Sequence, residues 1–102
     1  MKLYVSGDDT SKESFSSFNI VDNFEDSEVI LILPGGLGSF YDLFRAIESN
    51  KKIILYNKDF FYTPIIKKLY ELYEDGIESR GPSEYMYIES EINEIIKKLE
   101  EM

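Results

Sequence analysis

The chain contains no cysteine and no histidine. Without cysteine there is no disulfide framework and no thiolate metal site. Without histidine there is no imidazole ligand for a metal, and no side chain whose ordinary pKa lies near neutrality. Acid–base work would therefore fall to Asp, Glu, Lys or Tyr, and neither a metal ion nor a cofactor is expected. Positive charge is also scarce: 11 Lys and Arg stand against 20 Asp and Glu, a net charge of −9. Nucleic acids and anionic membranes both select cationic surfaces, so neither is an expected partner. No apolar run is long enough to span a bilayer. The opening Met1-Lys2-Leu3-Tyr4-Val5 lacks the apolar middle of a signal peptide, so a soluble, cytoplasmic protein is expected. There is no repeat, no low-complexity tract and no linker.

What is present supports a core. Hydrophobic residues make up 43% of the chain and aromatics 15%, which argues against disorder. The 102 residues suit one compact domain, residues 1–102. Strand signals fall at Lys2–Val5, Glu28–Leu33, Lys52–Tyr56 and Tyr85–Ile88. Phe40, Leu43, Phe44 and Ile47 repeat at i, i+3, i+4 and i+7, which predicts a helix over about Phe40–Ser49. Thr63-Pro64 predicts an N-cap followed by proline at the first helical position. That helix runs to about Glu74, with Gly76 as its C-terminal cap. Ser90 reads as the cap of a last helix carrying Ile92, Ile95, Ile96 and Leu99 on one face. Ser11 to Phe18 suggests a short helix, and Asn19-Ile20-Val21 a turn with apolar anchors.

Strands alternating with helices imply right-handed βαβ units. The predicted class is α/β, a small Rossmann-like parallel sheet of about four strands with about three helices. Three helices do not easily cover both faces of such a sheet, and an uncovered apolar face calls for a partner. A homodimer or higher homo-oligomer is therefore expected.

The most informative segment is Val29-Ile30-Leu31-Ile32-Leu33 followed by Pro34-Gly35-Gly36-Leu37-Gly38-Ser39. The apolar run fits a parallel strand covered on both faces. The glycines permit a sharp turn and close approach of a ligand to the backbone. The helix that follows offers unpaired N–H groups and a positive dipole end, which suit a phosphate. Gly35, Gly36, Leu37, Gly38 and Ser39 are thus candidates for a phosphate cradle. Ser39 also suits the helix N-cap, a role compatible with donating to a phosphate oxygen. Ser6 and Gly7 end the first strand at the same sheet edge, where ligands bind in open α/β folds.

Pro34-Gly35-Gly36-Leu37-Gly38-Ser39-Phe40-Tyr41-Asp42 resembles the PGGxGTxxE motif of the Lonely Guy family, which are Rossmann-like nucleotide phosphoribohydrolases. Asn57, Phe60-Phe61-Tyr62, Glu74-Asp75-Gly76-Ile77 and Tyr87-Ile88-Glu89-Ser90 follow in the family's order, so the resemblance covers roughly residues 26–101. It implies a nucleotide or phosphorylated nucleoside derivative as ligand. The departures are specific. Ser39 stands for the family threonine, and Asp42 for its catalytic glutamate. The upstream Arg-Lys pair is replaced by Ile20-Val21-Asp22-Asn23-Phe24-Glu25-Asp26, and a second glycine-rich loop is missing. The phosphate cradle is retained and the hydrolytic set is not.

Two readings follow. One is non-catalytic binding, sensing or sequestering a nucleotide or nucleotide-derived signal. The alternative is a phosphoribohydrolase cleaving the N-glycosidic bond of a nucleoside monophosphate. There Asp42 would be catalytic, and a base from a second copy, such as Lys12 or Arg80, would replace the missing arginine. Asp42 also suits a capping-box-like pair with Ser39, or a ribose hydroxyl contact. Arg45, one turn on, either pairs with Asp42 or reaches a ligand phosphate. Asn57, Phe60 and Phe61 follow the third strand, as base or ribose contacts or as contacts to a second copy.

Overall fold

The computed structural model describes residues 1–102. Four strands, β1 (Leu3–Ser6), β2 (Val29–Ile32), β3 (Lys52–Tyr56) and β4 (Met86–Glu89), form one sheet in the order β1-β2-β3-β4. All three pairings are parallel. Three α-helices accompany them: α1 (Leu37–Ser49), α2 (Thr63–Glu74) and α3 (Ile92–Glu101). This is the expected α/β class, with the expected numbers of strands and helices. No helix is long and apolar enough to cross a membrane.

The strand order decides where the helices lie. Two right-handed crossovers that step in the same direction leave their helices on the same face. Accordingly Leu43 and Ala46 of α1, with Ile65, Ile66 and Leu69 of α2, pack on Ile30, Ile32, Ile53 and Leu55. α3 follows the last strand and covers the other face, where Ile95 and Leu99 meet Val29, Leu31 and Ile54. The alternation of Ile30 and Ile32 with Val29 and Leu31 is the two-residue period of a strand. Every residue of β2 is buried, as are four of the five in β3.

The short helix expected at Ser11 to Phe18 is present as a 3₁₀ helix, one residue earlier at its start and three residues earlier at its end. A 3₁₀ turn over Thr10–Phe15 sends Phe15 into the α3-side core. Ile20 then pairs as an isolated parallel bridge beside Leu3, and Phe24 enters the core on the α1 side. The segment therefore laps around the outer edge of β1. Phe15 and Phe24 are its apolar anchors, while Ile20 is exposed. The chain's own elements thus cover both faces of the sheet, so the shortage of cover that argued for a partner is not found.

Helix starts differ from the expected caps. α1 begins three residues before Phe40, with Gly36 rather than Ser39 at the N-cap. α2 is capped by Tyr62, and Thr63 is its first residue. α3 is preceded by Glu91, not Ser90. In α1 and α2 the residue expected at the cap lies inside the helix, and in α3 it lies one residue before the cap. Phe44, expected on the inner face of α1, is exposed, because Asp42, Leu43 and Ala46 hold that face. The C-terminus of α2 is as expected. Gly76 has φ 77°, its N–H reaches Tyr73 O and that of Ile77 reaches Leu72 O, a Schellman closure.

Candidate functional site

The loops after β1, β2 and β3 converge at one end of the sheet. Gly7 has φ 109°, and a Cβ there would lie 2.5 Å from Leu33 O. The β1 and β2 loops therefore pass in direct backbone contact, with Asp8 N–H donating to Pro34 O at 3.2 Å. A Cβ on Gly35 would overlap the Ser39 hydroxyl. These two glycines are demanded by the fold. Gly36 and Gly38 are different: a Cβ on either would meet nothing within 4 Å. The protein interior does not need glycine at those two positions.

At the start of α1 the N–H groups of Ser39 and Phe40 both reach Gly36 O, at 3.0 and 3.3 Å. The N–H groups of Leu37 and Gly38, first in the helix, have no acceptor in the chain. They border a cleft of about 440 Å³ lined by Tyr4, Val5, Ser6, Gly7, Asp8, Lys12, Gly36, Leu37, Gly38, Ser39 and Asp42. Leu37 is 88% exposed.

Ser39 is buried, the third residue of α1. Its hydroxyl sits over Gly35. Burial pushes the Tyr62 phenol up to about 12, against a smaller lowering effect of the Ser39 hydroxyl. The Tyr62 hydroxyl donates to Leu33 O at 2.7 Å, tying the β3 loop to the end of the β2 strand.

Asp42 does not form the capping-box-like pair with Ser39. It faces β1 instead. Its Oδ2 accepts the Ser6 hydroxyl and, at 3.4 Å, the Tyr4 hydroxyl. Its Oδ1 accepts Arg45 Nε at 2.9 Å and Nη2 at 2.8 Å. Four donors on two oxygens fill the lone-pair capacity of a carboxylate. Arg45 lies behind Asp42, 3.9 Å from the Phe24 ring centroid and 5.0 Å from that of Tyr41. Burial acts to lower the guanidinium pKa, but the hydrogen bond and charge of Asp42 outweigh it and the net shift is upward. Burial first, then the Asp42 charge, raises the Tyr4 phenol.

The β3 loop is braced on both sides. Asn57 is buried: its Oδ1 accepts Tyr62 N–H at 2.7 Å and its Nδ2 donates to Thr63 Oγ1 at 3.0 Å. Asp59 and Phe60 take φ of 50° and 63°, in the left-handed region. Lys58 Nζ meets Asp9 Oδ1 at 3.1 Å, which ties this loop to the one after β1. Hydrogen bonding from Ser11, ahead of the Lys58 ammonium, holds the Asp9 carboxyl below its usual range.

The structure therefore brings Ser6, Gly7, Gly36, Leu37, Gly38, Ser39 and Asp42 to one cleft. Gly35 lies beneath the loop and Arg45 behind Asp42, outside the lining. Asn57, Phe60 and Phe61 do not line it either: Asn57 is engaged in its own loop, Phe61 stacks on Phe40 with centroids 6.5 Å apart, and Phe60 is 78% exposed. Three lining residues were not expected there, Tyr4, Val5 and Lys12. The alternation of β1 turns Tyr4 toward α1. Lys12 arrives through the 3₁₀ turn, which sequence periodicity does not reveal. It lines the cleft of its own chain and takes part in no ion pair. No family model, no curated protein and no solved structure matches the chain.

Proposed function

We propose that the cleft holds the phosphate of a nucleotide or nucleotide-derived signal, and that the protein senses or sequesters this ligand without cleaving it. The observation that carries the reading is that Leu37 and Gly38, whose amides have no acceptor in the chain, line one cleft together with Lys12. Amides at a helix start and a flexible cation together suit a phosphate. Two glycines whose positions are sterically open leave room for close approach.

Asp42 argues for binding over hydrolysis. A general base or a stabiliser of positive charge needs a free lone pair toward the substrate. Here each carboxylate oxygen is already occupied by two donors. Its role in this reading is to hold β1, α1 and Arg45 together beneath the cleft.

Calorimetric titration with nucleoside monophosphates and ADP-ribose tests the proposal. Saturable binding is expected, weakened in Lys12→Gln and in Gly36→Ala, with no base released from AMP. Absence of binding at millimolar ligand overturns it. Base release that disappears in Asp42→Ala would establish hydrolysis instead. The exposed stripe of Leu37, Tyr41 and Phe44 along α1 is the surface we assign to a second copy in a homodimer.

A further inference from the structure

We propose that a second anion site lies at the opposite end of the sheet, in the cavity between Arg80, Lys52 and Tyr85, and that it takes a small organic acid: one carboxylate or phosphate on a flat apolar body. This site is independent of the glycine-rich cleft. β3 and β4 begin here, and α1 ends here at Asn50, whose φ is 61°. The cavity measures about 270 Å³, near the lower limit of small-ligand sites. Its lining is more polar than apolar: Ile53 and Met86 border it but are almost wholly buried, Tyr85 is half-buried, and Ser83 supplies a hydroxyl.

Charge singles the cavity out. Acids outnumber bases by 20 to 11 in the chain, yet Lys51, Lys52 and Arg80 all border this one space. None of the three is in an ion pair; the paired cations are Arg45, Lys58, Lys68 and Lys97. Glu84 is the acid in the lining, and its Oε2 is engaged by Gly81 N–H at 2.6 Å.

Arg80 is already oriented. Its Nη1 donates to Asn50 Oδ1 at 3.2 Å and its Nη2 to Ile47 O at 3.4 Å, and its guanidinium carbon lies 5.0 Å from the Tyr85 ring centroid. A guanidinium has five N–H donors, so most remain for a ligand. By covering Ile47 O, Arg80 also screens the carbonyl end of α1 from an incoming anion. Lys51 Nζ is engaged by Ser27 O at 2.6 Å and contributes charge rather than contact. Lys52 is exposed, and its side chain has no hydrogen-bond partner. The small volume suits a compact ligand. The half-buried Tyr85 ring in the lining favours a flat group over a bare inorganic ion.

Amide chemical shifts followed by two-dimensional NMR test this, with benzoate and phenyl phosphate as probes, benzamide as the neutral analogue and inorganic phosphate as the bare ion. Both organic anions should shift the amides of Lys52, Ser83, Tyr85 and Met86 saturably, and benzoate should leave those of Leu37 and Gly38 in place. Benzamide and inorganic phosphate should bind at least about tenfold more weakly, as should benzoate to Arg80→Gln. Lys52→Gln, at a side chain without partners, should weaken binding severalfold without altering the fold. Melting curves of Arg80→Gln separate loss of the site from loosening of α1. The proposal is overturned if millimolar benzoate gives no saturable shifts at these amides, if benzamide binds equally well, or if both variants keep wild-type affinity. A failed nucleotide titration at the glycine-rich cleft leaves this outcome unaffected, since different amides report the two sites.

Discussion

Six glycines in one short chain have unlike reasons for being glycine, and mutation separates them. Gly7 combines φ 109° with backbone atoms where a Cβ would be, so Gly7→Ala should cost at least about 2 kcal/mol in urea denaturation. Gly38 has helical geometry and open space. Gly38→Ala should raise stability by about 0.5 kcal/mol through helix propensity, while weakening nucleotide binding in the same preparation. A gain in stability with undiminished binding would place the ligand elsewhere. Tyr62 gives a pH signature. Its folded-state pKa of about 12 exceeds the ordinary phenol value of 10.0, so its contribution is complete below pH 10 and is lost as pH rises toward 12. Unfolding free energy should fall across that interval by about 1 kcal/mol per pH unit, and the slope should lessen in Tyr62→Phe. Tyr4, Tyr56 and Tyr85, also raised chiefly by burial, add smaller effects of the same sign.

Elements are fixed here mainly by the loops that join them. The β3 loop holds two consecutive left-handed residues, Asp59 and Phe60, and neither is glycine. Such backbone persists only when its surroundings enforce it. Asn57 does so from within and the Asp9–Lys58 pair from outside. Asn57→Ala leaves the Tyr62 amide unsatisfied in the interior and should destabilise by about 2 kcal/mol. Hydrogen exchange should show the change concentrated in the amides of Phe60, Phe61 and Tyr62. Uniform loss of protection along the whole chain would assign Asn57 a global role instead. The same elements show what sequence patterns reveal. Ile53-Ile54-Leu55 between polar ends is legible as a buried strand because its signal is contiguous. The start of α1 is not legible to the residue: Gly36 and Ser39 both suit an N-cap, and only the backbone path selects one.

As a whole, the molecule combines a net charge of −9 with a radius of gyration of 13.0 Å. Like charges that close destabilise the folded state, and salt screens them. The melting temperature should therefore rise between low and physiological ionic strength. A fall would mean that the attractive pairs at Arg45 and Lys58 dominate. The proposed homodimer belongs to this scale too. Sedimentation should find a dimer, and Tyr41→Ser with Phe44→Ser should return a monomer that still binds nucleotide. A wild-type chain that stays monomeric at high concentration would remove the second copy from the reading.

The sequence by itself determined the class of the fold and the place of the glycine-rich loop. Both depend on neighbours in the chain: a strand's apolar run, a helix's periodicity, a turn's glycines. The tertiary structure alone decided what Asp42 does, since its partner Ser6 lies 36 residues away and the register of β1 against α1 brings them together. It alone placed Tyr4 and Lys12 in the cleft and gathered Lys52 and Arg80 around a cavity at the other end. The physical reason is the same in each case. Side chains meet through the packing of elements on a sheet, and the order of that packing is not written in local periodicity.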